Sequence, residues 1–178
     1  MNALLAFARL IDALTERIGR IALWIVLAAT LISAGNALAR YTLGASSNAW
    51  LEIQWYLFGA LFLLAAGYTL KHDAHVRIDV FYGRLGPRGR AWIDLFGGVL
   101  FLLPMALLLV WLSWPMFYEA WTTHELSPDA GGLVRWPVKL LLPAGFALLA
   151  LQGLAEIIKR AGVLTGHLTM HESPGENG

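Results

Sequence analysis

The side chains able to do chemistry in this chain are few and lie far apart. Of five histidines, His72 and His75 are three residues apart, His124 stands alone, and His167 and His171 lie near the C-terminus. Imidazoles from facing helices at one depth of a bundle would ligate haem, and imidazoles grouped with acids would hold a metal. Here His72 and His75 fall at one boundary of the apolar stretches, His124 at the opposite one, and His167 and His171 in a polar tail. No pair is placed to share one haem, so each is expected to be an ordinary solvated interfacial histidine. The chain has no cysteine, which removes disulfides, thiolate metal sites and cysteine nucleophiles together. This pattern points to no catalytic residue, no cofactor site and no metal site.

The acids and bases give the next clue. Arg40 closes one apolar stretch and Glu52 opens the next, so an ion pair across the short connection is expected, with a partner chain as the alternative target for Glu52. Asp94 has Arg88, Arg90 and Lys71 at its boundary, and Glu156 has Lys159 and Arg160. Such groups are held by neighbours or by headgroup water. A solute or ion path through a bilayer would instead require ionisable groups near mid-depth. The midpoints of the four apolar stretches lie near Thr30, Ala60, Leu103 and Leu148, and no Asp, Glu, Lys, Arg or His occurs within six residues of any of them. Four helices this apolar in the middle do not make a self-sufficient pump.

The elements that must carry these residues follow from composition. The 178-residue chain is 58% hydrophobic and only 14% charged, too little charge to solvate an ordinary soluble surface. Its net charge of +1 argues against nucleic acid as a partner. A span needs about 20 apolar residues to cross a hydrocarbon core of about 30 Å, and residues 21–39, 50–70, 92–114 and 138–158 qualify. Backbone groups in lipid must be satisfied internally, so each is read as a helix, and the fold class is an all-α integral membrane protein of four spans. Gln54 and Glu52 sit at the edge of the second span, where side chains reach headgroups.

Lys and Arg set the orientation. Arg9, Arg17 and Arg20, then Lys71, Arg77, Arg84, Arg88 and Arg90, then Lys159 and Arg160 lie on one side; only Arg40, Arg135 and Lys139 lie on the other. The positive-inside rule therefore places both termini and the 71–91 loop in the cytoplasm. Trp50, Trp55, Trp111, Trp114, Trp121 and Trp136 gather at the outer boundary, with Trp24 and Trp92 at the inner one. Interfacial belts explain tryptophan at both levels, and the outer excess also supplies rigid surface for a partner. Ala37-Leu38-Ala39 has the form of a signal-peptidase site, but the long apolar run and the amphipathic 20 residues before it favour an uncleaved anchor.

Leu4, Phe7, Ile11, Leu14 and Ile18 recur at helical spacing among charges, predicting an interfacial amphipathic helix over residues 1–20, its apolar face set in headgroups or against a partner. In the 71–91 loop, Asp79 is placed to cap a short helix ending near Gly86-Pro87. The 115–137 loop carries the turn signals Ser127-Pro128-Asp129 and Gly131-Gly132. Ala29, Ser33 and Ala37 form a small-residue row suited to close helix contact, and Pro104 and Pro143 are kink candidates. One membrane domain, residues 1–161, is expected, followed by a disordered cytoplasmic tail over 162–178 whose end at Gly178 argues against a fused larger subunit.

In this order of elements, the chain resembles the small membrane subunit of the tripartite ATP-independent periplasmic (TRAP) transporters, the DctQ-like family. His75-Val76-Arg77-Ile78-Asp79 matches the family's His-x-Arg-x-Asp pattern after the second helix, with Glu52 at the start of that helix, 23 residues before His75. Glu125-x-Ser127-Pro128, Gly131-Gly132-Leu133, Trp136-Pro137 and Lys139 follow, running into Pro143-Ala144-Gly145-Phe146. Many members place two adjacent acids at the start of the second helix; here Leu51 precedes Glu52, so a role needing both carboxylates does not carry over.

The resemblance implies a division of labour in a bacterial inner membrane. A large membrane subunit carries the substrate and sodium sites, and a periplasmic binding protein delivers an organic acid. The small subunit braces the large one in the bilayer and offers part of the docking surface. Two other classes remain open on the residues alone: a membrane anchor for a redox enzyme, which the histidine positions disfavour, and an independent small channel, which the apolar midplane disfavours.

Overall fold

The computed structural model describes residues 1–44, 47–73, 82 and 85–168. Among the described residues, four long helices order the chain: α1 (Asn2–Leu43), α2 (Asn48–Lys71), α3 (Pro87–Thr122) and α4 (Trp136–Leu164). Each is long and apolar enough to cross a membrane. Between α3 and α4 the one bridge of extended backbone pairs Leu126 with Val134.

α4 is the hub and packs against each of the other three helices, while α1 and α2 form an antiparallel pair beside it. The residues it buries show how it comes so close to its neighbours. Gly145, Ala150, Gly153 and Ala155 are small, and helices in lipid associate through such close approaches rather than through a hydrophobic driving force. A β-carbon at Gly145 would stand 3.0 Å from the carbonyl oxygen of Leu63 and 3.1 Å from its carbonyl carbon. Backbone cannot swing aside, so Gly145→Ala must push α2 from α4. We expect it to cost about 1–3 kcal/mol of stability, whereas Gly35→Ala, with no atom within 4 Å of the added carbon, should leave thermal unfolding of the purified protein unchanged or slightly raised.

The first helix departs from its expected division. Residues 2–43 form one unbroken helix of about 63 Å at 1.5 Å per residue, roughly twice a hydrocarbon core. Its first half buries Ala8, Ile11, Thr15 and Gly19, with Ala8 and Ile11 packing on Ala155. Of the expected apolar stripe, Ile11 is buried against α4 while Leu4, Phe7 and Leu14 remain exposed. The row Ala29, Ser33, Ala37 likewise divides: Ala29 is buried, while Ser33 and Ala37 are exposed.

Proline acts differently in the two helices where kinks were anticipated. In α3 the segment Gly98–Leu102 widens to a π-helix just before Pro104. That is a physical response to a ring that removes a donor and crowds the preceding turn. In α4 the helix runs through buried Pro143 without an interruption. α4 also continues beyond the expected span end to Leu164. It closes there with Gly166 N–H bonded to Val163 O and His167 N–H to Gly162 O, a complete Schellman cap with Gly166 at φ 75°. Order thus extends past residue 162, where the tail was expected to begin; residues 169–178 lie outside the described chain.

Candidate functional site

Two polar constructions occupy opposite ends of this bundle. The first is a cap formed by the connection between α3 and α4 on the start of α2. Asn48, Glu52 and Tyr56 recur every four residues and therefore share one face of α2. Asn48 Nδ2 donates to Ala130 O at 3.1 Å, and Tyr56 Oη donates to Val134 O at 3.2 Å. Between them Glu52, only 3% exposed, accepts from Ser127 Oγ and from the Leu133 N–H at 2.6 Å. A buried carboxylate is tolerated when hydrogen-bond donors surround it.

The loop is itself a small hairpin. Ser127 N–H donates to Leu133 O at 3.0 Å and Arg135 N–H to Glu125 O at 2.9 Å. The turn between them closes through Gly132 N–H to Asp129 O, and Gly131 takes φ 70°, a left-handed value that a β-carbon would strain. Gly132 is fixed by space rather than by φ: an added β-carbon would stand 2.7 Å from Ser127 Oγ and 2.9 Å from Glu52 Oε1. Lys139 pairs with Glu125, Trp136 meets Trp121 edge-on at 4.7 Å, and Pro137 sits in the first turn of α4, tying the loop's two ends together.

The expected Arg40–Glu52 pair is not formed. Both oxygens of Glu52 are engaged by Ser127 and Leu133, and the basic group near its carboxylate is Arg135; Arg40 stands exposed at the end of α1. The loop folds over Glu52 and leaves Arg40 no role there. Five residues of the sequence motif, Glu52, Glu125, Ser127, Trp136 and Lys139, with Pro137 beside them, are therefore brought into one construction. His75, Arg77 and Asp79, with the short helix anticipated after Asp79, lie outside the described residues.

The second construction ties α1, α2 and α4 at the end where α1 begins and α4 closes. Gln152, fully buried, accepts from Thr15 Oγ1 at 2.7 Å and donates to Asp12 Oδ1 at 2.8 Å and Glu156 Oε1 at 3.0 Å. Lys159 completes it, reaching Asp12 at 3.1 Å and Glu156 at 2.6 Å. Beside it Glu16 pairs with Lys71 at 2.7 Å and His72 at 3.1 Å; these hydrogen bonds hold the Glu16 carboxyl down at about 2. Asp94 is held by Arg160 Nε at 3.1 Å and by the Tyr82 hydroxyl at 2.9 Å, rather than by Arg88, Arg90 or Lys71. Lys71 is drawn away to Glu16 because the first half of α1 runs alongside the end of α2.

Asn48, Tyr56, Thr15 and Gln152 were not singled out by motif or charge. The i, i+4 spacing of Asn48, Glu52 and Tyr56 was a readable signal. So was the unbroken row Ala8, Ile11, Thr15, Gly19, Ala22, which continues the face of the first span with no breaker between.

In both constructions the acids are paired with bases or with hydrogen-bond donors, and the middles of the four spans carry no Asp, Glu, Lys, Arg or His. Comparison with curated proteins finds no match. A family model described as the DctQ component of the tripartite ATP-independent periplasmic transporters matches residues 29–162, from the outer half of α1 to near the end of α4 and including the whole Glu52 cap. With more than half of its length covered by that model, the chain belongs to the DctQ component family of the tripartite ATP-independent periplasmic transporters.

Proposed function

We propose that this small permease subunit braces the large membrane subunit of its transporter and helps to dock a periplasmic substrate-binding protein. The uptake it serves is of an organic acid driven by a cation gradient, sodium in the first instance, across a bacterial inner membrane. The observation that carries this reading is the contrast between interior and exterior. The core is mostly alanine and glycine, whereas Leu23, Phe62, Phe101, Leu108 and Trp111 stand exposed along all but the hub helix. Those flanks suit lipid on one side and another membrane protein on the other.

The two polar constructions fit the same role. Arg9, Arg17, Arg20, Lys71, Arg88, Arg90, Lys159 and Arg160 lie toward the end where α1 begins and α4 closes, which the positive-inside rule assigns to the cytoplasm, so on this reading the Glu52 cap faces the periplasm. There the hairpin and the tryptophans around it supply a rigid aromatic platform. His75, Arg77 and Asp79 then face the cytoplasm, where they shape the contact with the large subunit.

Co-expression of a tagged form of this chain with the large subunit of its transporter tests the assignment. The two are expected to co-purify as a stable complex, and uptake in proteoliposomes should require both together with the binding protein. Solute transport by this chain reconstituted alone would overturn the role.

A further inference from the structure

Arg135 stands apart from the other two cations of the outer face. Lys139 is consumed by Glu125, and Arg40 projects from the end of α1. The Arg135 Nε is buried, and among the described residues it has no hydrogen-bond partner. Its guanidinium lies over the Trp55 ring, 5.8 Å from the centroid, and close enough to Glu52 for their charges to interact. Glu52 offsets the charge without accepting from it, because its oxygens are taken by Ser127 and Leu133. A guanidinium presents five N–H donors in a rigid fork; here only Nε is cut off from water, and the half-buried side chain leaves the rest of the fork to solvent or a partner. The chain therefore builds a fixed cation and supplies no acceptor for it.

The surface around it is apolar although it belongs to a connecting loop. Leu126 and Val134, held side by side by their bridge, are 66% and 39% exposed, and Trp55 and Trp121 lie open nearby. An arginine stacked on tryptophan amid exposed aliphatic side chains is the composition of an interface hot spot. We propose that Arg135 receives a carboxylate side chain of the periplasmic binding protein while Leu126 and Val134 meet apolar surface beside that acid. This rests on the docking role given above and names the residue and the chemistry that would perform it. The occupant must offer apolar surface as well as an acid, because Leu126 and Val134 stand exposed on the hairpin beyond the ends of α3 and α4; a protein surface supplies both, whereas a lipid phosphate supplies the charge alone.

The test uses the complete two-subunit membrane complex in nanodiscs and the purified binding protein of the same system. Arg135→Gln should weaken binding about tenfold or more, and Arg135→Lys less, with unchanged yield of the complex. Wild-type binding should weaken with added salt, and Arg135→Gln should flatten that dependence. Equal affinities for wild type and Arg135→Gln would overturn the inference, as would salt-insensitive wild-type binding, even if Arg135→Gln does not assemble. Unchanged binding together with loss of a co-purifying phospholipid, read by native mass spectrometry, would transfer Arg135 to a lipid headgroup. If the wild-type complex does not bind the protein at all, the docking role itself fails.

Discussion

Glu52→Ala should free the loop over residues 123–135 while leaving the helices in place, at a cost of about 2–4 kcal/mol. The figure follows from what is left behind. The hydroxyl of Ser127 and the N–H of Leu133 lose a charged acceptor, and a donor stranded away from water costs about 1–3 kcal/mol. Asn48 and Tyr56 would still hold the loop at Ala130 and Val134, but each through one neutral bond. Amide hydrogen exchange reads this directly: the Leu133 and Ser127 amides should exchange at least about tenfold faster, while those of α4 beyond Lys139 stay protected. If Leu133 exchange is unchanged in Glu52→Ala, the carboxylate does not lock the loop.

A second substitution separates hydrogen bonding from charge. Glu52→Gln can turn its amide oxygen to Leu133 and its NH2 to Ser127 Oγ, preserving two bonds without the charge, so about 1 kcal/mol is expected. Should Gln prove as damaging as Ala, the negative charge matters for its own sake, as a counterweight to Arg135. Gly132→Ala reaches the same lock from the loop side, because the added carbon enters the space between Ser127 and Glu52. Its exchange pattern should therefore resemble that of Glu52→Ala.

Much of this architecture was legible because the bilayer restricts the alternatives. Where backbone must satisfy itself, four apolar runs of sufficient length can only be helices, and four such helices are found. Gly131 and Gly132 announced the turn that the structure contains. What sequence pattern could not supply was the partner of each charge. Arg40 is near Glu52 along the chain, yet a hairpin some 75 residues away reaches the carboxylate first. The same holds for Asp94, whose partner Arg160 comes from the far end of α4. In α1 the apolar stripe says little about what meets α4: the face buried inside the bundle is Ala8, Ile11, Thr15 and Gly19, mostly small residues that permit close approach, and a search for large apolar side chains passes over it.

Gln152→Leu should be the most damaging single change at the opposite end. Leu fills nearly the same volume, so the loss is of three hydrogen bonds rather than of packing. Asp12 and Glu156 would then share Lys159 alone, two carboxylates against one ammonium, with no amide between them. Thr15, 4% exposed, would lose its long-range partner. Together these predict about 2–4 kcal/mol and a selective loosening of residues 2–20 from α4, because breaking a buried network by removing one member exposes the unpaired remainder. Thr15→Val should cost only about 1 kcal/mol, and the double variant should cost less than the sum of the singles, since both remove the same bond. Exchange of the α1 amides below Ile21 and the thermal midpoint of the purified complex measure both quantities. Strict additivity, or equal loosening along the whole of α1, would show that Gln152 fills space without tying the helices. A bundle whose middle is apolar and whose core is alanine has little else to fix the register of α1 on α4. Directional bonds at Gln152 supply that register, just as those at Glu52 fix the hairpin on α2.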